Sequence, residues 1–476
     1  MKLPFLDFTP LAERERTARR ELELNAPHAP GLYRDVIPVT RGSDAPAEGG
    51  LRLGGEGEVV DWVLRMAPVP PDDFLDHRAD RLDDNLLDRI ADAVAAMHAR
   101  LPRAPRDQVP RDQVPRDQVP RDQVPRDQVP RDQIGGFDWL TAGNRISALT
   151  AGIDAVRVEA WCAAMRADLA GIAGWLRARE AAGFVRRIHG DLHLGNICLW
   201  RGHPVPFDAL EFNEAMATFD TGYDLAFLLM DLDLRAGRRA ANRVMNRYLA
   251  RTGDVGLLRG LPVFLSMRAM VRAHVAARSN DPAGSARYLA AAEAYLLPPR
   301  PVVMAIGGLQ GTGKSTLARR LAPDLGPAPG AAILRSDEIR KALLGVAPED
   351  PLPQSAYRPA VGREVFDTLA RYAAIAASAG HAVIADAMFF NTTQREAIAQ
   401  AAGDVPFHGF WLTAPMDVLE ARIAARVGDA SDADVEVLRR AARGDPGAGS
   451  WHVIDAGTGD DPVAQVRLIM RHNNPI

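Results

Sequence analysis

The stretch Val302-Val303-Met304-Ala305-Ile306-Gly307-Gly308-Leu309-Gln310-Gly311-Thr312-Gly313-Lys314-Ser315-Thr316 decides how the second half of the chain reads. Its five leading apolar residues predict a buried strand, and Gly308 to Ser315 fit G-x-x-x-x-G-K-[ST] between that strand and a helical pattern. Glycines at 308, 311 and 313 let backbone N–H groups wrap phosphate oxygens, and the helix N-terminus after them adds positive potential. Lys314 then reaches the outer phosphates of ATP and Ser315 offers a hydroxyl to Mg2+, with Gln310, Thr312 and Thr316 completing the expected cradle. The chain has only three lysines, Lys2, Lys314 and Lys341, and arginine supplies the other 54 cations. Wherever chemistry needs an ammonium there are three candidates.

Outward from this loop, further strands are predicted at 331–334, 381–385, 405–412 and 451–454. Helices fall between them near 315–322, 338–345, 360–378, 393–402 and 415–427. Strands alternating with helices predict an α/β domain, a parallel sheet covered by helices on both faces. Leu296-Leu297-Pro298-Pro299-Arg300-Pro301 marks its boundary, so the expected domains are 1–297 and 301–476. The first region reads as α+β: a charged helix at 13–24, a strand at 58–66, helices at 86–101 and 153–182, a strand–loop–strand over 184–213, and helices from 222 to 296. Residues 105–134 are six copies of Pro-Arg-Asp-Gln-Val, the last ending in Ile134. A proline every fifth residue denies a helix its hydrogen bonds, and the tract is neutral, so a disordered, extended insertion is expected there.

Composition narrows the function class. Of 476 residues, 47% are hydrophobic and 25% charged, the balance of a globular protein. A net charge of −4 gives no dedicated nucleic-acid surface, and no apolar run approaches the ~18 residues of a membrane span. Cys162 and Cys198 are too few for a disulfide framework. Asp7 interrupts the N-terminus too early for a signal peptide, so a cytoplasmic protein is expected.

The segments downstream of the glycine loop resemble the small-molecule and polynucleotide kinase branch of P-loop proteins. Ser336-Asp337-Glu338-Ile339-Arg340 stands where such kinases place an acid and a substrate-binding arginine. The resemblance implies that Asp337 accepts the proton of an attacking hydroxyl and that Arg340 holds acceptor charge. Asp386, closing the third strand, matches the acid near the metal. Arg422 and Arg426, four apart on a helix, resemble lid arginines that neutralise transferring phosphate. Asp429 to Asp434 has acids spaced like a calcium loop without its other features; capping of a helix by Ser431 is the expectation there.

A second pattern, His189-Gly190-Asp191-Leu192-His193-Leu194-Gly195-Asn196 with Phe207-Asp208 after it, resembles the aminoglycoside and choline phosphotransferase branch of the protein-kinase-like fold. That resemblance implies that Asp191 orients or deprotonates an acceptor hydroxyl and that Asn196 and Asp208 hold Mg2+. Phe5-Leu-Asp-Phe-Thr, Glu21-Leu-Glu-Leu-Asn25, Glu211-Phe-Asn213 and Tyr223-Asp224-Leu-Ala-Phe-Leu-Leu-Met-Asp231 widen it. Together they resemble a bacterial family that fuses an aminoglycoside-phosphotransferase-like domain to a P-loop kinase-like AAA-family ATPase. Family members carry a lysine, paired with a helix glutamate (here Glu21), ahead of the Phe-Leu-Asp-Phe motif; this chain has only Lys2 before Lys314. The expectation is a truncated N-lobe, from a late start codon or from loss of half the ATP clamp. The implied function is ATP-dependent phosphoryl transfer to a hydroxyl of a small-molecule or nucleotide acceptor, mainly through the P-loop domain. The alternative is a P-loop ATPase regulated by a catalytically weak, ligand-binding first domain.

Overall fold

A computed structural model of the chain describes residues 2–3, 6–42, 50–103, 132–425, 430–444, 451–457, 459 and 461–473. The chain forms two compact units, Met1–Ala236 with Val263–Leu296, and Gly237–Pro262 with Leu297–Ile476.

The second unit is built on five parallel strands, β1 (Val303–Gly308), β2 (Ala332–Arg335), β3 (Val383–Asp386), β4 (Phe407–Thr413) and β5 (His452–Asp455), in the order β2-β3-β1-β4-β5. Every residue of β1, β2 and β3 is buried, which is why their sequences run continuously apolar rather than alternating. Met304, Ile306, Leu317, Ile384, Phe410 and Leu412 form the centre of the core. Full burial of each such side chain is worth roughly 1.5–3 kcal/mol. β1 lies between β3 and β4, so the strand order reverses there, and in open parallel sheets ligands bind outside the carboxyl ends of the strands at that point. The glycine loop leaves β1 at that end.

Residues 237–262, expected in the first domain, pack in the second unit instead. The helix Arg238–Thr252 runs along edge strand β2, whose outer N–H and C=O groups would otherwise lack partners. Asn246 accepts from the Ile333 N–H at 2.6 Å, and Asn242 and Asn246 donate to the Ala331 carbonyl at 3.0 and 3.2 Å. The Pro-rich linker in the sequence marks where the chain crosses over, but not which surfaces it buries.

The first unit contains an antiparallel three-stranded sheet, ordered Leu51–Leu53, Tyr33–Arg41, Glu58–Met66, against which helix Leu11–Asn25 packs. Two small antiparallel pairs come next, Val185–Arg187 with Thr218–Asp220 and, between them in the chain, Ile197–Trp200 with His203–Pro206. Helices Asp84–Arg100, Gln133–Thr150, Ala155–Ala182, Thr221–Arg235, Leu261–Arg278 and Pro282–Tyr295 also belong to this unit. Thr221–Arg235 is buried on all sides from Thr221 to Leu232, matching its nearly unbroken apolar sequence.

The strand at Tyr33–Arg41 and the helix Gln133–Thr150 had no counterpart among the expected elements. The latter corrects the extent of the expected insertion, because the sixth repeat unit supplies the start of the helix. Asp132 caps it by accepting from the Gly135 N–H at 3.1 Å. Gln133 is buried, accepting from the Asp220 N–H at 3.1 Å and donating to the Thr218 carbonyl at 3.3 Å. The rest of the repeat, through residue 131, lies outside the described residues. Among the described residues no helix is long and apolar enough to cross a membrane.

Candidate functional site

At the carboxyl end of β1 the backbone takes conformations that only glycine holds cheaply: φ is 137° at Gly308, 82° at Gly311 and 89° at Gly313. A Cβ at Gly308 would lie 2.6 Å from the Leu412 carbonyl oxygen, and one at Gly311 would lie 2.8 Å from that of Leu419. Gly313 caps helix Lys314–Leu321. The Lys314 ammonium donates to the carbonyls of Gly308 (3.0 Å) and Leu309 (2.9 Å), spanning the loop it belongs to. Thr312 is buried and donates through Oγ1 to the Leu309 carbonyl at 2.8 Å; Gln310 Nε2 lies 3.1 Å from Met388 Sδ. Thr316 is exposed on the helix.

Ser315 Oγ donates to Asp386 Oδ2 at 2.5 Å, joining the residue after the loop lysine to the acid that closes the neighbouring strand. A hydroxyl and a carboxylate on adjacent rigid elements are hard oxygen donors, which fits a small divalent cation that keeps part of its water shell. Sequence reading missed Arg335, the buried last residue of β2. Its Nε is 3.3 Å from Asp386 Oδ2, and its Nη1 donates to Glu338 Oε1 at 3.0 Å. The signal was available: an arginine ending an otherwise apolar strand.

Asp337 and Arg340 sit on helix Ser336–Leu343, which leaves β2. Burial pushes the Asp337 carboxyl up; Arg335 pulls it down, Asp386 adds to the rise, and Lys314 and Arg340 oppose it. A carboxylate raised in this way is a better proton acceptor near neutral pH. Arg340 Nη1 donates to the Ala356 carbonyl at 2.9 Å, and its guanidinium lies over the Tyr357 ring at 5.0 Å. Arg422, exposed, reaches the loop itself, donating to the carbonyls of Gly311 (3.4 Å) and Ala456 (2.9 Å). Arg426 lies outside the described residues.

The third lysine is structural. Lys341 Nζ is fully buried, donating to the Pro348 carbonyl at 2.9 Å and Asp432 Oδ1 at 3.1 Å. Asp432 also accepts from the Leu352 N–H (3.1 Å) and the Tyr357 hydroxyl (2.7 Å). Burial pushes its carboxyl up, but the hydrogen bonds from Tyr357 and Lys341 hold it below the usual carboxylate range. The cap expected of Ser431 is made by Asp434, which accepts from the Val437 N–H at 2.8 Å. Glu349 ties the same 345–357 segment to Arg247 (2.6 Å) and Arg251 (3.0 Å).

In the first unit the His189–Asn196 loop is fastened by buried side chains. Asp224, fully buried, accepts from the backbone N–H groups of His189 and Gly190, both at 2.9 Å, and lies 3.2 Å from His98 Nε2. Asp231 accepts from the Leu194 N–H at 3.0 Å, and Arg268 donates to the Gly190 carbonyl at 2.9 Å while lying over Tyr223 at 3.7 Å. These bracing roles were not assigned from sequence, although single acids inside an apolar helix are their signature. Asn196 Nδ2 donates to both the backbone oxygen and Oδ2 of Asp191 at 2.9 Å. His193 Nδ1 accepts from the Gly195 N–H at 3.0 Å, which leaves its Nε2–H directed at Asp191 Oδ2, 3.6 Å away. Burial raises the Asp191 carboxyl, yet His193, His189 and Arg268 outweigh it and bring it down to about 2. Such a group orients a hydroxyl rather than taking its proton.

Asp208 has φ of 63°, and its N–H donates to the Tyr33 hydroxyl at 3.0 Å. Glu21 faces Asp208 and Glu211 rather than a cation: burial first, then these two acids, push its carboxyl up to about 7. Among the described residues Glu21 makes no ion pair, and the Lys2 side chain lies outside them.

The fold and the loop define a P-loop domain, and residues 303–444 match the AAA domain family. The chain is also 31% identical over 296 residues to an uncharacterised protein of Mycobacterium bovis, and equally so to proteins of two Mycobacterium tuberculosis strains. Those matches cover 60% of this chain and 59% of each relative, so the chain spans about three-fifths of the length of the curated relatives it matches. Solved structures similar to part of the chain include a gluconokinase from Sinorhizobium meliloti (20% identity, 36% of this chain and 96% of that one, TM-score 0.25). Another is the Mycobacterium tuberculosis APS kinase in complex with AMPPNP and APS (18% identity, 36% and 96%, TM-score 0.24).

Proposed function

We propose that the second unit is a Mg-ATP-dependent phosphotransferase acting on a hydroxyl of a small-molecule or nucleotide acceptor. The observation that carries this reading is the 2.5 Å hydrogen bond between Ser315 and Asp386 beside the glycine loop, with Asp337 on the adjacent strand's helix close enough to feel both Lys314 and Asp386. Glycines 308, 311 and 313 present the backbone to the ATP phosphates, and Lys314 exchanges its two carbonyl partners for phosphate oxygens. Ser315 and Asp386 would hold Mg2+, which supplies charge neutralisation of the phosphates when bound. Asp337 takes the proton of the acceptor hydroxyl as its oxygen bonds to the γ-phosphorus and the bond to the ADP oxygen breaks. Arg340 steadies acceptor charge, and Arg422, with Arg426, neutralises the group in flight. A pure hydrolase needs no base beside an acceptor-side arginine, which favours transfer. ATP turnover over a panel of hydroxyl acceptors tests the reading: Lys314→Ala should abolish acceptor-dependent turnover, and a parent that turns over no ATP with any acceptor sinks it.

The first unit we read as an aminoglycoside-phosphotransferase-like fold, supported by a three-stranded sheet with its helix and by the braced Asp191 loop. Its Asn196 and Asp208 are oxygen-bearing candidates for Mg2+. Glu21 set among acids, with Asp191 held at about 2, favours a second reading in which this unit binds a ligand and regulates the P-loop half. Replacing Asp191 by Ala separates the two: ATP turnover lost with any acceptor that Lys314→Ala leaves active assigns transfer to the first unit.

A further inference from the structure

Next to the Asp191 loop the first unit holds a cavity of about 320 Å3. It lies between helix Leu11–Asn25, the end of helix Asp84–Arg100 and the strand leading into His189. Asp191, Asn196 and Asp208 do not line it. Its lining is largely apolar, with Leu24, Met97, Ile188 and Pro206, and Arg20, Arg100, Arg187 and His28 bring polar groups to it. The only acid among the lining residues is Glu23.

Two of the cations are already engaged. Arg20 pairs with Glu23 and Glu214, and Arg187 with Glu214. Arg100 is not: exposed in the last turn of its helix, it has no hydrogen bond or ion pair among the described residues. His28 is half-buried, and burial, then Arg100, His189 and His98, hold its imidazole below the usual range, so among the described residues Arg100 is the lining arginine that no acid answers. Pockets of this volume fall at the lower end of the ~300–1,000 Å3 that small organic ligands occupy, and an apolar wall with a few placed polar groups is their usual lining.

We propose that this cavity binds a small organic anion, an apolar body carrying one carboxylate, sulfonate or phosphate group, with Arg100 as its charge anchor. The site is wired to the loop beside it. Asn25, in its wall, accepts from the Ala209 N–H at 2.9 Å, and Ala209 follows Asp208 directly. His189, also in the wall, sits with Nε2 2.9 Å from the Phe207 carbonyl. An occupant therefore touches the residues that hold Asp208 in its left-handed conformation and acts as an effector of the first unit.

The test uses the full chain and 8-anilinonaphthalene-1-sulfonate, read by its fluorescence, beside the uncharged N-phenyl-1-naphthylamine. Saturable binding of the sulfonate, weakened about tenfold by Arg100→Gln, is expected, since one charge-assisted contact is worth about that factor. The neutral probe should bind more weakly and ignore the substitution. Leu24→Trp, which fills the cavity, should remove binding of both. Equal sulfonate affinity in parent and Arg100→Gln overturns the proposal, as does sulfonate binding that survives Leu24→Trp, which puts the probe elsewhere. Unchanged melting of Arg100→Gln, an exposed position, shows that the variant is folded.

Discussion

Substituting Asp432 by Ala tests whether the buried third lysine fastens the 345–357 segment beside Arg340. The Lys341 side chain is 1% exposed and that of Asp432 19%, so the change strands an ammonium in the interior with one neutral acceptor, the Pro348 carbonyl. Removing one partner of a buried pair typically costs about 3–5 kcal/mol, because the remaining charge keeps its desolvation penalty. The Leu352 N–H and the Tyr357 hydroxyl lose their acceptor as well. Hydrogen exchange followed by mass spectrometry over 336–358 reads the effect locally. At a tenfold change per 1.4 kcal/mol, amide protection there should fall by roughly two to three and a half orders of magnitude, limited by global unfolding. Lys341→Met should cost less, about 1 kcal/mol, because Asp432 keeps two donors and some solvent. Adding Lys341→Met to Asp432→Ala should restore much of the protection, since no charge is then stranded. The pair also sets a pH dependence. The Asp432 carboxyl is held below its ordinary value, so its contribution is present above the usual carboxylate range and is lost as pH falls through the lowered value. Protection in Asp432→Ala within threefold of the parent, or a double variant no better than the single, refutes the reasoning.

Lys314→Ala should leave the fold intact and weaken Mg-ATP binding measured by calorimetry; unchanged affinity would remove the glycine loop from nucleotide binding. Asp337→Asn should cut acceptor phosphorylation by ~10²–10⁴-fold while ATP still binds, the usual worth of a positioned base; undiminished transfer would move that role, with Asp386 the next candidate. Glu21→Gln should stabilise the first unit at pH 8. The folded state raises this carboxyl to about 7, so it binds its proton more tightly than the unfolded chain, and stability declines as pH climbs from the ordinary glutamate range through 7. Thermal melting at pH 5 and pH 8 checks it: a parent and variant with the same pH slope would show that Glu21 is not the group responsible.

The P-loop sheet was legible in the sequence because every cue there was local. A buried parallel strand is a continuous apolar run, the loop is a fixed spacing of glycines, and Asp386 ends the apolar run Ala382 to Ala385, which the fold then pairs in register with β1. What escaped was whatever depended on partners distant along the chain. Asn242 and Asn246 look like ordinary polar positions on a helix, and nothing in their spacing says that they satisfy the outer edge of β2 some 85 residues later. Lys341 and Asp432 likewise stand 91 positions apart, and an acid among other acids gives no sign of which one turns inward. The repeat shows the opposite failure, in which a perfect local pattern hid a tertiary role. Its sixth copy matches the first through Asp132 and Gln133, yet these two residues cap and anchor a helix because Gly135 and the Thr218–Asp220 strand stand next to them. Identical pentapeptides upstream lack that flanking sequence. A residue's type and spacing announce a site when its partners are neighbours in the chain, as in the glycine loop. When the partners come from another element, the same residue type is indistinguishable from a solvated one until the fold brings the two together.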